Sequence, residues 1–342
     1  MVKWILLALL VVVLAGGTAA YVALSAAPPS PRGACPAAFA DTPYDANAIL
    51  YFDVASMRND EFVQKFKSLQ NGAATVPAYA DFIEKTGLNP DRDIDHMLFS
   101  FNFLDMTGSA VLEGRFDQSK IGAYIEPLGK KKHFESGDIY TFQAGTAGIT
   151  VGLAFLDPTH VAISAGAGSE TQLLVIADAV KNPTPGLRDD MCELAQRVSG
   201  APFFAIGNVP EKASQQIALL AARSTEPAAK ALVHITGWDF ATWTAGDTFR
   251  LSAEAQFDTR YDAFQALLAF KESARNAHEK LVEMKTAPKS RNPMEDTGTQ
   301  LANDLVSNFA FSLDGRYVRV GTWLKKSDLE RLITEQQKLL VH

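Results

Sequence analysis

The sequence predicts an α+β protein built as two tandem repeats, each an antiparallel sheet with helices packed on one face, preceded by an N-terminal hydrophobic helix. Three observations carry this expectation. Sequence blocks recur in the same order in the two halves of the chain. Short apolar strands closed by tight turns are interleaved with helical patterns, as in layered α+β domains. The extreme N-terminus is a long run without a single charge.

That run comes first in the chain. After Lys3, the 24 residues from Trp4 to Ala27 are uncharged. As a helix they would extend about 36 Å, more than a hydrocarbon core of roughly 30 Å. Trp4 and Tyr21 lie near the two ends of the span, where amphipathic rings favour the headgroups, and Lys3 sets an N-in orientation. The expectation for residues 1–27 is a transmembrane anchor, giving a single-pass membrane protein with its C-terminal bulk outside the cytoplasm. A cleaved signal peptide is the alternative: Trp4–Ala15 has the length of an h-region, and Thr18-Ala19-Ala20 and Ser25-Ala26-Ala27 are small-x-small sites. The product would then be periplasmic or secreted. The anchor is favoured because the apolar run continues past the first site and Pro28 follows the second. No cysteine follows Leu14-Ala15-Gly16-Gly17 to accept a lipid.

Residues 28–47 are rich in Pro and Ala and read as a tether. Repeat 1 is expected over 48–181, a linker over 182–201 that includes Asn182-Pro183-Thr184-Pro185-Gly186, and repeat 2 over 202–342. The opening strand Ile49–Val54 matches Phe203–Val209. Glu113-Gly114-Arg115-Phe116-Asp117 matches Glu254-Ala255-Gln256-Phe257-Asp258, an E-x-x-F-D that closes a strand and begins a helix. The hairpin turn Leu156–Val161 matches Leu313–Val318. Each half is expected to end on a helix opened by a capping box, Ser169-x-x-Gln172 and Ser327-x-x-Glu330. Met97, Phe99, Phe101 and Phe103 alternate with Leu98, Ser100 and Asn102, which predicts a strand whose Phe-bearing face is covered by helices. The longest helix is expected from Thr259 to about Lys285, with Phe264, Leu267, Leu268, Ala274, Ala277, Leu281 and Met284 in helical spacing.

Composition narrows the function classes. A formal net charge of -7 over 342 residues offers no attractive field for phosphates, so nucleic acid is not an expected partner. The two cysteines, Cys35 and Cys192, lack metal or redox spacing. Each stands just ahead of the opening strand of its half, and in an oxidising compartment they could join as a disulfide or remain two thiols. The 47% hydrophobic content must therefore supply the core.

No motif establishes catalysis, so no catalytic, cofactor-binding or metal-ligating residue is assigned and no cofactor is expected. Gly166-Ala167-Gly168 lacks the third glycine of a dinucleotide loop, having Thr171 in its place. His278-Glu279 lacks the second histidine of H-E-x-x-H, since Val282 occupies that position. Asp91, Asp93 and Asp95 have EF-hand-like spacing, but His96 and Asn102 stand where that loop needs Gly and Glu. Lys130-Lys131-Lys132-His133 reads as a solvated basic run between a helix and a strand. The six histidines are scattered, and no G-x-S-x-G elbow occurs.

The stretch Thr86-Gly87-Leu88-Asn89-Pro90-Asp91-Arg92-Asp93-Ile94-Asp95, followed by an apolar strand and the E-x-x-F-D junction, resembles uncharacterised exported bacterial proteins with tandem α+β repeats. The resemblance implies the same architecture over most of residues 48–337 and brings no activity with it. The expected function is a membrane-tethered extracytoplasmic binding or assembly module. It would contact the membrane through residues 4–27 and an envelope protein, lipid or polymer through its folded part. The alternatives are an envelope hydrolase with a spatially assembled site and a soluble periplasmic carrier of an apolar ligand.

Overall fold

The computed structural model describes residues 42, 46–61, 63–64, 77–102, 107–135, 137–144, 149–166, 168–181, 187–286, 293–331 and 334. The expected N-terminal helix over 1–27, most of the 28–47 tether, Cys35 and the Asn182–Gly186 break lie outside the described residues. Among the described residues no helix is long and apolar enough to cross a membrane. The protein mixes helices with antiparallel sheet. Its chain divides into two compact units, one Arg32–Ile206 and the other containing Gly207–His342.

The first unit comprises β1 (Ala48–Asp53), α1 (Val54–Met57), α2 (Pro77–Thr86), α3 (Pro90–Asp93), β2 (Ile94–Asn102), β3 (Thr107–Gly114), α4 (Gln118–Ile125), β4 (Gly129–Phe134), β5 (Gly137–Ala144), β6 (Ile149–Phe155), β7 (His160–Ala165), α5 (Ser169–Lys181) and α6 (Asp189–Arg197). Its strands run in the order β1-β2-β3-β7-β6-β5-β4, every pair antiparallel. Side-chain caps start the short helices: Asp53 accepts from Ser56 N–H at 2.9 Å, and Asp117 from Lys120 N–H at 3.1 Å. In α6, within the stretch expected as a linker, Met191, Leu194 and Ala195 are buried.

Helices cover both faces of this sheet, not one as expected. Leu173 and Ile176 of α5 pack on Val111, Ile139, Ala154 and Ala162. Ile121 and Ile125 of α4 pack on Tyr140, Leu153 and Val161, the alternate residues of the same strands. Neighbouring apolar pairs such as Leu153-Ala154 and Val161-Ala162 are what a sheet buried on two sides requires. Gly152 permits the close approach of α5, since a Cβ there would lie 2.6 Å from Leu173 Cδ1.

The burial of β2 is also the reverse of the expectation. Leu98, Ser100 and Asn102 are buried, whereas Phe101 is 36% exposed. Ser100 tolerates burial because its hydroxyl bonds that of Ser109 at 2.6 Å.

The second unit follows β8 (Phe203–Asn208), where the division falls, with α7 (Glu211–Arg223), α8 (Pro227–Ala231), β9 (Ile235–Ala245), β10 (Thr248–Phe257), α9 (Arg260–Thr286), α10 (Pro293–Ser307), β11 (Ala310–Asp314) and β12 (Tyr317–Lys325). Its strands run β9-β10-β12-β11. Ala263, Ala266, Leu267 and Phe270 of α9 pack on Ala255, Phe257, Val318 and Val320. Leu301 and Leu305 of α10 pack on Leu324 and Leu251, which lie on that same face of the sheet by register. Hairpin β11–β12 turns through Gly315 at φ 59°, a left-handed position that suits glycine.

Neither expected capping box forms as such. Helix α5 begins at Ser169 itself, the Ser169 N–H goes to Gly166 O, and Gln172 Oε1 is buried without a hydrogen-bond partner. The last helical turn begins at residue 326, so Ser327 lies inside it. A side-chain cap does form at α9, where the Thr259 hydroxyl accepts from Asp262 N–H at 3.1 Å and donates to the Asp262 carboxylate. Lys130–His133 is the edge strand β4 itself rather than a connection. Lysines there discourage edge-to-edge pairing.

Candidate functional site

In the first unit the strand register assembles a row of ionisable side chains. Asp53 of β1 lies opposite His96 of β2, His96 opposite Glu113 of β3, and Glu113 opposite His160 of β7. Residues directly opposite share a face, so all four stand side by side across four strands. Tyr51, two positions before Asp53 on β1, joins that face.

Two contacts orient the imidazoles. Tyr51 Oη lies 3.0 Å from His96 Nδ1, with the rings stacked at 5.9 Å and 16°. Tyr51 also stacks on Phe204 at 5.0 Å. Burial, reinforced by the charges of Asp53 and Glu113, pushes the Tyr51 phenol up to about 12, so it stays protonated at neutral pH. It can then donate to His96 Nδ1, leaving the ring proton on Nε2. Asp53 Oδ1, at 3.6 Å, is a weaker neighbour of that nitrogen and caps α1 instead.

His160 is held the opposite way, because Asp157 Oδ2 lies 2.7 Å from its Nδ1 and a carboxylate can only accept. In the neutral ring Nε2 is then the acceptor. Asp157 is itself fixed by the β6–β7 turn: Oδ1 accepts from Thr159 N–H at 2.7 Å and His160 N–H at 2.9 Å. Burial pushes the Asp157 carboxyl up, but these bonds from Thr159 and His160 outweigh it and hold the group below the usual carboxylate range. A lowered carboxyl stabilises the fold above its unfolded value near ~3.9 and loses that contribution as pH falls through the lowered folded value. The Tm difference between wild type and Asp157→Asn is therefore expected to shrink on acidification from about pH 5 to pH 3. A constant difference over that range would show that the turn does not depend on the charge.

A row across the strands of the second unit has different chemistry. Asp239 of β9 faces Glu254 of β10, which faces Arg319 of β12. Asp239 and Glu254 are buried, and the Arg319 guanidinium bridges Glu254. An ion pair whose carboxylate is buried and whose guanidinium is half-buried across neighbouring strands is structural, since losing either partner would strand a desolvated charge.

A second surface lies in the second unit. On α9, Tyr261, Phe264 and Leu268 are exposed to 70%, 45% and 47%. Their i, i+3, i+7 spacing puts them on one side of the helix, facing away from the core residues Ala263, Ala266 and Phe270. Leu219 and Leu220 of α7 are exposed as well.

The residues singled out by sequence take other roles. Asp93 accepts from Arg92 and from Asn89 N–H, and the Arg92 bonds hold its carboxyl low. Asp95 pairs with Arg58 at 2.8 Å, and Arg58 Nε also donates to Asp91 O. These aspartates therefore stitch α1 and α3 to β2. Among the described residues no three His, Cys, Asp or Glu side chains come together as a metal site. Gly166 and Gly168, at φ 107° and 82°, shape the turn into α5. His278 contacts Ser307 at 3.4 Å, and Glu279 lies 3.9 Å from Arg275. On β4, Lys131 pairs with Asp138 at 2.9 Å and Lys132 with Glu170 at 2.7 Å. Cys192 is disulfide-bonded. The row itself had no local signature, because His96, Glu113 and His160 meet only through register; the nearest clue was the Asx-type turn Asp157-Pro158-Thr159-His160.

No family model matches the chain, and no curated protein matches it in sequence. Among solved structures, three crystal forms of TP0453 are similar. Form III superposes with a TM-score of 0.47 at 9% identity, covering 86% of this chain and 97% of that one. Form IV gives 0.43 at 8%, covering 86% and 96%. Form I gives 0.40 at 10%, covering 87% and 96%.

Proposed function

We propose that this chain is a membrane-tethered extracytoplasmic binding module, anchored through residues 4–27 and engaging an envelope component through the outer side of α9. The observation that carries this reading is the run of exposed Tyr261, Phe264 and Leu268, since grouped large apolar residues mark interaction surfaces. A photoreactive residue in place of Phe264 is expected to form an adduct in intact cells. Absence of any adduct there, with adducts from a probe in place of Glu113, would move the binding site to the first unit.

A second reading, an envelope hydrolase, is favoured by the opposed orientation of the two imidazoles. His160, with Asp157 on Nδ1, has the arrangement of a general base. His96 presents an N–H donor across Glu113. His160→Gln would then abolish turnover in protein that a melting curve shows to be still folded; unchanged turnover of any envelope substrate would end that reading.

Two structural proposals accompany the first reading. The repeats arose by duplication, for which the strand orders are the support: after the opening strand each unit pairs its first strand with its second, its second with its last and its last with the one before it, as β2-β3-β7-β6 and β9-β10-β12-β11, the first unit carrying β5 and β4 beyond these. Glu113 and Glu254 of the E-x-x-F-D match then hold equivalent places, each on the second strand after the opening one, between the first and the last. An experimental structure in which these two carboxylates fail to superpose would count against duplication. The second proposal pairs Cys192 with Cys35, the chain's only other cysteine.

A further inference from the structure

We propose that α9 lies on the phosphate headgroups of the bilayer, giving the protein a second membrane attachment beside its N-terminal anchor. The inference rests on the tethered reading above. At 3.6 residues per turn, Arg260, Phe264, Lys271, Arg275, Leu268 and Tyr261 fall within about 100° of the helix circumference. All six are exposed. Of the acidic residues of α9, Glu279 shares that sector, while Asp262, Glu272 and Glu283 lie beyond it. Rings, an aliphatic side chain and three cations on one outward flank form the pattern of a helix lying in the interface plane, its apolar groups entering the acyl boundary and its cations meeting phosphate.

The charge distribution selects this occupant over an apolar protein groove. The chain as a whole carries a formal net charge of -7, yet this flank is cationic. Arg275 is only loosely held, 3.9 Å from Glu279 with both side chains in solvent. The anchor supplies proximity. Thr42, Ala46 and Asn47 are buried in the folded part, so the connection from Pro28 has at most the fourteen residues 28–41, about 50 Å when extended, and the folded part stays within reach of the surface that residues 4–27 enter.

The test uses the full chain reconstituted by its own N-terminal run into vesicles of phosphatidylcholine with phosphatidylglycerol, with acyl chains brominated near the headgroup. Phe264→Trp adds one indole to the four native ones, and its emission is read as the difference from the parent. We expect the added emission to fall at least twofold on brominated vesicles. The quenching should be lost when Lys271→Glu and Arg275→Glu are combined with it or when phosphatidylglycerol is omitted. An unquenched indole on phosphatidylglycerol vesicles overturns the proposal, as does quenching indifferent to both charge reversal and lipid charge. Carbonate extraction of the same vesicles separates the two readings: a retained chain with an unquenched indole refutes docking alone, whereas a released chain refutes the tether. An unchanged melting curve for Phe264→Trp confirms that the reporter is folded.

Discussion

Replacing Phe257 with Ala is expected to lower the unfolding free energy of the second unit by about 3–5 kcal/mol, the range for deleting a fully buried ring. Phe257 is fully buried, ends β10, and packs with Phe270 at a centroid distance of 6.5 Å. The register shift between Gln256 and Phe257 turns the strand where its ring enters the core. Ala263, Ala266, Val318 and Val320 line the site, and these short side chains cannot collapse into the space a ring vacates. Guanidinium unfolding followed by far-UV circular dichroism checks the prediction. A loss below ~1 kcal/mol would mean that α9 is held by something other than this cluster.

Cys192→Ser is expected to cost about 2–4 kcal/mol, below the ~5 kcal/mol ceiling that chain entropy sets for so long a loop. Cys192 sits in α6, whose Met191, Leu194 and Ala195 are buried, so the bridge ends on a well-packed element. Its proposed partner follows a Pro/Ala-rich stretch, and closing a loop onto such sequence constrains less native structure than closing it onto a core strand. Each unit keeps its own apolar core in the variant, so both should still fold. Thiol titration of unreduced protein should find no free thiol; two thiols would refute the pairing with Cys35.

Local signals carried much of the fold. The hairpins at Leu156–Val161 and Leu313–Val318 formed where Asp157 and Gly315 supply turn chemistry. The long helix ran from Arg260 to Thr286, within a residue or so of its expected ends, because Thr259 caps it and its apolar period is sustained. What sequence did not reveal was set by partners distant in the chain. Ser100 looked like a solvent-facing residue until Ser109, across a strand pair, supplied its hydrogen bond. Adjacent apolar residues such as Val161 and Ala162 did not announce that α4 and α5 would occupy opposite faces. Ser169 was a reasonable cap by pattern, but the glycines before it let the helix start at Ser169 and bond Gly166 O. The candidate site was least legible, since β-register alone aligns Asp53, His96, Glu113 and His160. The apolar flank of α9 was hidden within an ordinary amphipathic pattern: Phe264 and Leu268 were expected in the core with Leu267, but the buried face is centred on Ala263, Ala266, Leu267 and Phe270 and leaves them on the far side.

The tether is the premise on which the binding reading stands, and its support is the uncharged run from Trp4 to Ala27. Its most direct test is sodium carbonate extraction of membranes carrying the full-length protein at native abundance, followed by intact-mass measurement of the N-terminus. The protein is expected to stay in the membrane pellet with Met1 or Val2 at its start. A soluble protein beginning near Tyr21 or Pro28 would contradict the tether, leaving an exported chain released by signal cleavage.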